Sequence, residues 1–315
     1  MRILLLGATG TIGSAAAQAL LKRGHEVICP VRAPQNRAAE QQQSALSACG
    51  AQLRFADVTD RLDLAKNGLS EDTFAALVSC LASRTGVAGD ARRVDYQANV
   101  DALELARAAG VKHMVLVSAI CVQKPKLDFQ HAKLAFEDVL INSGITYSIV
   151  RPTAFFKSLC GQVERVKAGK SFKMFGDGML TACKPISDAD LADYIARCLD
   201  DESLKNKILP IGGPGEAISP KQQADYLFAA TGHPPHYKSV APGLLLKIAK
   251  VLSVLAKLYP PLKVKAEYAR IGYYYATESM LVLDPETGDY RADLTPSTGT
   301  QTLFQHYDAL LRQEK

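Results

Sequence analysis

The run Gly7-Ala8-Thr9-Gly10-Thr11-Ile12-Gly13 constrains this chain more than any other feature, because of what stands on either side of it. An apolar segment, Arg2–Leu6, leads in, and a helix-like segment, Ser14–Arg23, leads out. A strand that turns sharply into a helix needs a glycine at the turn, here Gly7. It needs a second without a side chain where backbone amides meet a ligand, here Gly10, and a third where helix and strand pack closely, here Gly13. Amides at the start of such a helix point outward and suit a pyrophosphate. The motif predicts a dinucleotide site with Gly7, Thr9, Gly10, Thr11, Ile12 and Gly13 around the phosphates.

The rest of the N-terminal half repeats the alternation. Arg2–Leu6, Glu26–Val31, Gln52–Ala56, Ala76–Cys80, Met114–Ser118 and Tyr147–Arg151 read as strands, nearly continuously apolar as in a parallel sheet covered on both faces. Helical patterns over Ser14–Arg23, Asp95–Ala109 and Gln130–Asn142 lie between them. The expected fold class is α/β, a doubly wound parallel sheet of Rossmann type. Beyond Arg151-Pro152 the rhythm breaks into Gly176-Asp177-Gly178, Gly212-Gly213-Pro214-Gly215 and Pro234-Pro235. We expect a nucleotide-binding domain over 1–152 and a smaller substrate-binding lobe over 153–315, with some segments returning to the Rossmann core.

Composition excludes several classes. With 48% apolar and 22% charged residues, the 315-residue chain is ordinary for a globular protein and has ample core. A net charge of +5, without basic runs or basic–aromatic alternation, argues against nucleic-acid binding. No apolar stretch reaches the ~18 residues needed to span a bilayer. The seven cysteines are scattered, without a CxxC pair or zinc-like spacing, so reduced, mostly inert thiols are expected. No carboxylate cluster suggests a protein-owned metal site. The motif starts so early that we expect either a bacterial cytoplasmic protein or a trimmed organelle form.

Cofactor choice is set where the second strand ends. An acidic residue there binds the ribose hydroxyl of NAD, whereas an arginine accommodates the 2′-phosphate of NADP. This strand ends Cys29-Pro30-Val31-Arg32, with Arg37 just beyond, which favours NADPH through guanidinium–phosphate pairing. Asp57-Val58 closes the third strand, where an aspartate commonly accepts from the adenine amino group; the same residue also suits a helix cap. Leu81, Ala82 and Ser83 follow the fourth strand and place small groups against the cofactor, as Pro152 does after the sixth.

The glycine spacing resembles the short-chain dehydrogenase/reductase proteins, which use a serine, a tyrosine as proton donor, and a lysine four residues after it. Here Ser118 ends the fifth strand, but Phe129 stands where the tyrosine would sit, four residues before the retained Lys133. Carbonyl reduction by the usual route is disfavoured. Two readings follow: an NADP(H)-sensing protein resembling NmrA-like regulators, or a reductase of a carbon–carbon double bond, such as one resembling isoflavone reductases. A double bond conjugated to a large π-system needs no phenol, and Lys133, Cys121, His131 and Lys157 are candidate proton donors.

Several segments sharpen the choice. They are Val78-Ser79-Cys80-Leu81-Ala82-Ser83-Arg84-Thr85-Gly86, Ser118-Ala119-Ile120-Cys121-Val122-Gln123-Lys124-Pro125 and 147–158 around Arg151-Pro152-Thr153-Ala154-Phe155-Phe156-Lys157. To these add Met174-Phe175-Gly176-Asp177-Gly178, Cys183-Lys184-Pro185-Ile186-Ser187, Leu209-Pro210-Ile211-Gly212-Gly213, Ala276-Thr277-Glu278-Ser279-Met280 and Asp284-Pro285-Glu286-Thr287-Gly288. Together they resemble the divinyl chlorophyllide a 8-vinyl-reductase family over nearly the whole chain. The resemblance implies NADPH-dependent reduction of the 8-vinyl group of a magnesium tetrapyrrole in chlorophyll or bacteriochlorophyll synthesis, by a family that lacks the tyrosine too. Phe155 and Phe156 would line an apolar slot for the macrocycle, and Lys157 or Lys184 would meet its propionate. The magnesium arrives with the substrate.

Gly243–Leu258 is apolar apart from Lys247, Lys250 and Lys257, which share one side of a helix. It reads as a lid, a packed amphipathic helix, or a peripheral membrane contact.

Overall fold

A computed structural model describes residues 1–312. In the first of two compact units, Met1–Arg151 with Leu191–Leu209, β1 (Arg2–Leu6), β2 (Glu26–Val31), β3 (Gln52–Phe55), β4 (Ala76–Ser79), β5 (His113–Val117) and β6 (Thr146–Pro152) pair in parallel. The register runs Leu4 to Leu77, Leu77 to Met114 and Met114 to Tyr147, so one row of apolar side chains crosses the sheet. Sheet order is β3-β2-β1-β4-β5-β6, and the edge beside β6 is taken by a seventh strand, β8 (Lys207–Ile211). The Rossmann fold expected from the alternation is the observed one.

The longer helices that lie wholly in the first unit are α1 (Thr11–Lys22), α2 (Arg37–Ala48), α3 (Ala98–Ala108) and α4 (Asp128–Ile141). The segment Asp95–Ala109, read from sequence as one helix, opens instead with a π-helical turn, Arg92–Gln97, that carries Asp95. Leu4, Leu6, Leu77, Met114, Phe136, Leu140 and Ile149 are fully or almost fully buried in one core. Each such side chain stabilises the fold by roughly 1.5–3 kcal/mol through removal from water.

The second unit, Pro152–Asp190 with Pro210–Lys315, has its own core of Phe156, Val163, Val166, Phe172, Leu227, Phe228 and Tyr307. It contains the parallel pair β7 (Phe172–Phe175) and β9 (Tyr237–Val240). Its longer helices are α6 (Pro220–Thr231), α7 (Gly243–Leu255), α8 (Leu262–Thr277) and α9 (Leu303–Arg312); α5 (Asp188–Arg197) begins in this unit and continues into the first. Ser219 caps α6 and Gly232 ends it in a left-handed conformation, φ 69°.

Candidate cofactor site and active site

The glycine run folds as its spacing requires. Gly7 has φ +77°, and the Gly10 amide donates to the Gly7 carbonyl at 2.9 Å, closing the turn. A Cβ on Gly13 would lie 2.1 Å from the Gly7 oxygen, so no larger residue fits there. Gly10 is the N-cap of α1, exposed and without a capping side chain, which leaves first-turn amides for an anion. Thr9 and Thr11 are exposed beside it, and Ile12 is half-buried. The Gln42 side chain donates to the Thr9 carbonyl and fixes the loop from α2, a residue that sequence reading missed. These groups fit a dinucleotide pyrophosphate.

Arg32 and Arg37 are both exposed, Arg32 directly after β2 and Arg37 at the first position of α2. The Arg32 carbonyl accepts from the Gln43 side chain at 2.8 Å, which holds the strand end. Asp57 Oδ1 accepts from the Thr59 amide at 2.9 Å and its hydroxyl at 2.8 Å, so that oxygen closes a local turn, and Val58 lies half-buried inside it. The helix cap itself falls to Asp60. Leu81 is buried, Ala82 exposed, and the Ser83 amide points at Asp95 at 3.4 Å. Pro152 is buried at the end of β6.

Among the candidate residues, Lys133 is a buried cation. It is 8% exposed on α4; its Nζ lies 3.0 Å from Asp95 Oδ1 and donates to the Leu81 carbonyl at 3.4 Å. Phe129, one turn earlier on the same helix face, is half-buried. Gln130, also missed from sequence, is fully buried. Its Oε1 accepts from the Lys126 and Leu127 amides, while its Nε2 has no protein partner.

The remaining candidates separate. Ser118 donates to buried Glu137, which also pairs with Arg151, so the hydroxyl is committed to an internal network. Cys121 is 2% exposed. His131 is exposed, and two residues before Lys133 it projects about 200° around α4 from that lysine. Cys29, Cys80, Cys183 and Cys198 are pushed up to about 12 by burial, which keeps these thiols protonated.

In the second unit Phe156 belongs to the core, whereas Phe155 before it is half-buried. Lys184 Nζ donates to the Thr295 carbonyl at 3.0 Å and approaches Ser297 at 3.3 Å, tying two chain segments together. Lys157 is exposed, and its charge acts on Asp188, whose carboxyl is raised by burial against the opposing pull of Lys157 and His306. A cavity of about 210 Å³ lined by Gln162, Phe172, Met174, Gln223 and Tyr275 lies within this unit. It is smaller than the ~300–1,000 Å³ typical of drug-sized ligand sites, and too small for a tetrapyrrole.

Sheet and glycine turn define a Rossmann protein of the NAD(P)H-binding class, and residues 7–202 match the family model described as NAD(P)H-binding. The fold is shared with leucoanthocyanidin reductase from Vitis vinifera in its NADPH complex, at TM-score 0.72 and 17% identity over 99% of this chain and 100% of that one. In sequence the chain is 48% identical to the chloroplastic divinyl chlorophyllide a 8-vinyl-reductase of Oryza sativa subsp. indica, over 99% of this chain and 78% of that protein. It is also 48% identical to the enzyme of that name from Cucumis sativus, over 99% and 76%. The chain belongs to the divinyl chlorophyllide a 8-vinyl-reductase family.

Proposed function

We propose that this protein reduces the 8-vinyl group of divinyl chlorophyllide a, or of a related divinyl magnesium tetrapyrrole, to ethyl with NADPH. The observation that carries the reading is the pairing of a retained, buried Lys133 with Phe129 one turn earlier, in a chain similar over its whole length to vinyl reductases. A site that keeps its ribose anchor and dispenses with the phenol suits a substrate whose own π-system takes up charge.

The first-turn amides of α1 behind Gly10 would hold the pyrophosphate, and Arg32 with Arg37 would hold the 2′-phosphate. Lys133, with Leu81, Ala82, Ser83 and Pro152, would receive the nicotinamide end. Asp57 and Val58 would border the adenine. When bound, NADPH supplies the hydride. Lys133 orients the ribose through an ammonium that Asp95 keeps in place. Near Lys133 the other candidates are not placed to give a proton: Cys121 is enclosed, His131 turns away from Lys133, and Ser118 is committed to Glu137. Phe155 and the alkyl stem of Lys157 offer apolar surface to a flat macrocycle. Lys184 serves the propionate only if it exchanges its contact with Thr295.

The relatives are chloroplastic by name, and we place this protein in a phototroph's pigment synthesis, in bacterial cytoplasm or a plastid. The test is anaerobic incubation of the purified protein with NADPH and divinyl chlorophyllide a, with pigments separated by chromatography. Monovinyl product that requires NADPH supports the reading. NADPH binding without product from any divinyl pigment overturns it in favour of a sensor.

A further inference from the structure

From Tyr226 to Ala266 the chain has no aspartate or glutamate, yet it carries six lysines: Lys238, Lys247, Lys250, Lys257, Lys263 and Lys265. The middle of this stretch is α7. Leu245, Ala249, Leu252 and Ala256 form its inner face, with Ala249 and Ala256 buried. That face meets α8, where a Cβ on Gly272 would come within 3.2 Å of Leu245 and where Arg270 donates to the Ser253 hydroxyl at 2.8 Å. The apolar residues of α7 are too many for one such face.

The surplus forms a second stripe that points to solvent. Leu244, Ile248, Val251, Leu255 and Leu258 follow one another at spacings of four, three, four and three, the helical repeat of a single face. Their exposures are 48%, 40%, 58%, 45% and 88%, and Val254 and Tyr259 beside them are 64% and 61% exposed. At 100° per residue, Lys247 and Lys250 lie about 60° and 120° from the centre of the stripe, on the side away from α8, and Lys257 follows in the turn that ends α7. None of these three forms an ion pair among the described residues. On α8, Tyr268 and Tyr275 are 52% and 43% exposed.

An exposed apolar stripe, bordered by unpaired lysines and flanked by tyrosines, has the chemistry of a helix lying in a lipid headgroup layer. We propose that the α7–α8 hairpin docks this protein on an anionic lipid surface, with the Leu244–Leu258 stripe in the acyl boundary and Lys247, Lys250 and Lys257 on the phosphates. No helix among the described residues is long and apolar enough to cross a membrane, so the contact lies along the surface. Charge complementarity selects the occupant: a strip free of acids for forty residues is matched by a negative surface, and long lysine stems keep their heads among phosphates while the backbone sits deeper.

The experiment is sedimentation of the full chain with vesicles of phosphatidylglycerol or of phosphatidylcholine. Binding is expected to phosphatidylglycerol, weakened by salt, with little to phosphatidylcholine. Each lysine near such a surface contributes about fivefold, so Lys247→Ala/Lys250→Ala/Lys257→Ala is expected to lower partitioning roughly a hundredfold. Val251→Asp with Leu258→Asp abolishes it, and all five sites are exposed, so unchanged thermal melting checks folding. Failure of the wild type to bind phosphatidylglycerol vesicles overturns the proposal. So does equal binding by the lysine variant. A dimer in solution that Leu258→Asp dissociates, without vesicle binding, would make a second copy the occupant instead. NADPH-dependent pigment reduction in detergent is read separately, so the docking surface and the proposed reaction stand or fall independently.

Discussion

Lys133 and Asp95 meet as a buried ion pair, Nζ to Oδ1 at 3.0 Å, with side chains 9% and 1% exposed. A charge buried this far is tolerated only while paired. Lys133→Met takes the opposing charge away from the Asp95 carboxylate, which keeps the Ser83 amide at 3.4 Å, and is expected to cost about 3–5 kcal/mol in denaturant unfolding. Adding Asp95→Leu recovers most of that loss by removing the stranded charge. Reductase activity stays lost in the double variant, which separates the lysine's part in chemistry from its part in folding.

Gly10 has φ −80° and ψ 164°, a backbone any residue adopts, and stands at the N-cap of α1. Aspartate is a favoured N-cap, but its Cβ would lie 3.2 Å from the Gly7 carbonyl oxygen, so Gly10→Asp is expected to lower the melting temperature slightly while the protein stays folded. The same carboxylate occupies the place of the pyrophosphate and repels it. NADPH titration followed by fluorescence should show at least a hundredfold weaker binding in a protein that remains folded.

Arg32 and Arg37 are exposed, and among the described residues their side chains make no hydrogen bond or ion pair, while the Arg32 carbonyl accepts from Gln43. Arg32→Glu/Arg37→Glu is expected to weaken NADPH by roughly ten- to a hundredfold, the worth of charge-assisted hydrogen bonds to a phosphate. Binding of NADH should be unaffected or improved. Calorimetric titration with both cofactors decides, and equal loss for both would refute the assignment of these residues to the 2′-phosphate.

His113 starts β5 and faces Ser148 at 3.1 Å; burial, helped by the Lys205 charge, lowers its pKa to about 4. The folded protein therefore keeps this imidazole neutral at pH values where an unfolded chain, titrating near 6.5, already binds a proton. Stability from this group is complete above about pH 6.5 and falls as pH drops towards 4, by at most about 1.4 kcal/mol per unit. His113→Gln should flatten that acid limb of the stability curve, measured by urea unfolding between pH 4 and 7.

Local signals were legible where the chain's chemistry is local. β1 and β2 fall on the segments marked by apolar runs, and the glycine turn folds as its spacing requires. What escaped was decided by residues far apart. Nothing near Lys207–Ile211 announces a strand that completes a sheet begun two hundred residues earlier. Asp95 became the partner of Lys133 because a π-turn aims it there, and such a turn has no spacing signature. Phe155-Phe156 illustrates a tie that only packing breaks: neighbours of identical chemistry, one in the core and the other half-buried. The lysines of α7 were visible from sequence, but the division of its apolar residues into a packed face and an exposed stripe was not, because both obey the same periodicity.

The return of 191–209 to the first unit sets a clock on biosynthesis. A ribosome that has made β6 still has to make residues 153–206 before β8 emerges. At ~5–20 residues per second that is an interval of several seconds, in which a nearly finished sheet shows an unpaired border. Such a border can recruit another nascent chain's strand, so the yield of this protein depends on how quickly translation passes through that stretch, or on a chaperone that shields the gap until the seventh strand arrives.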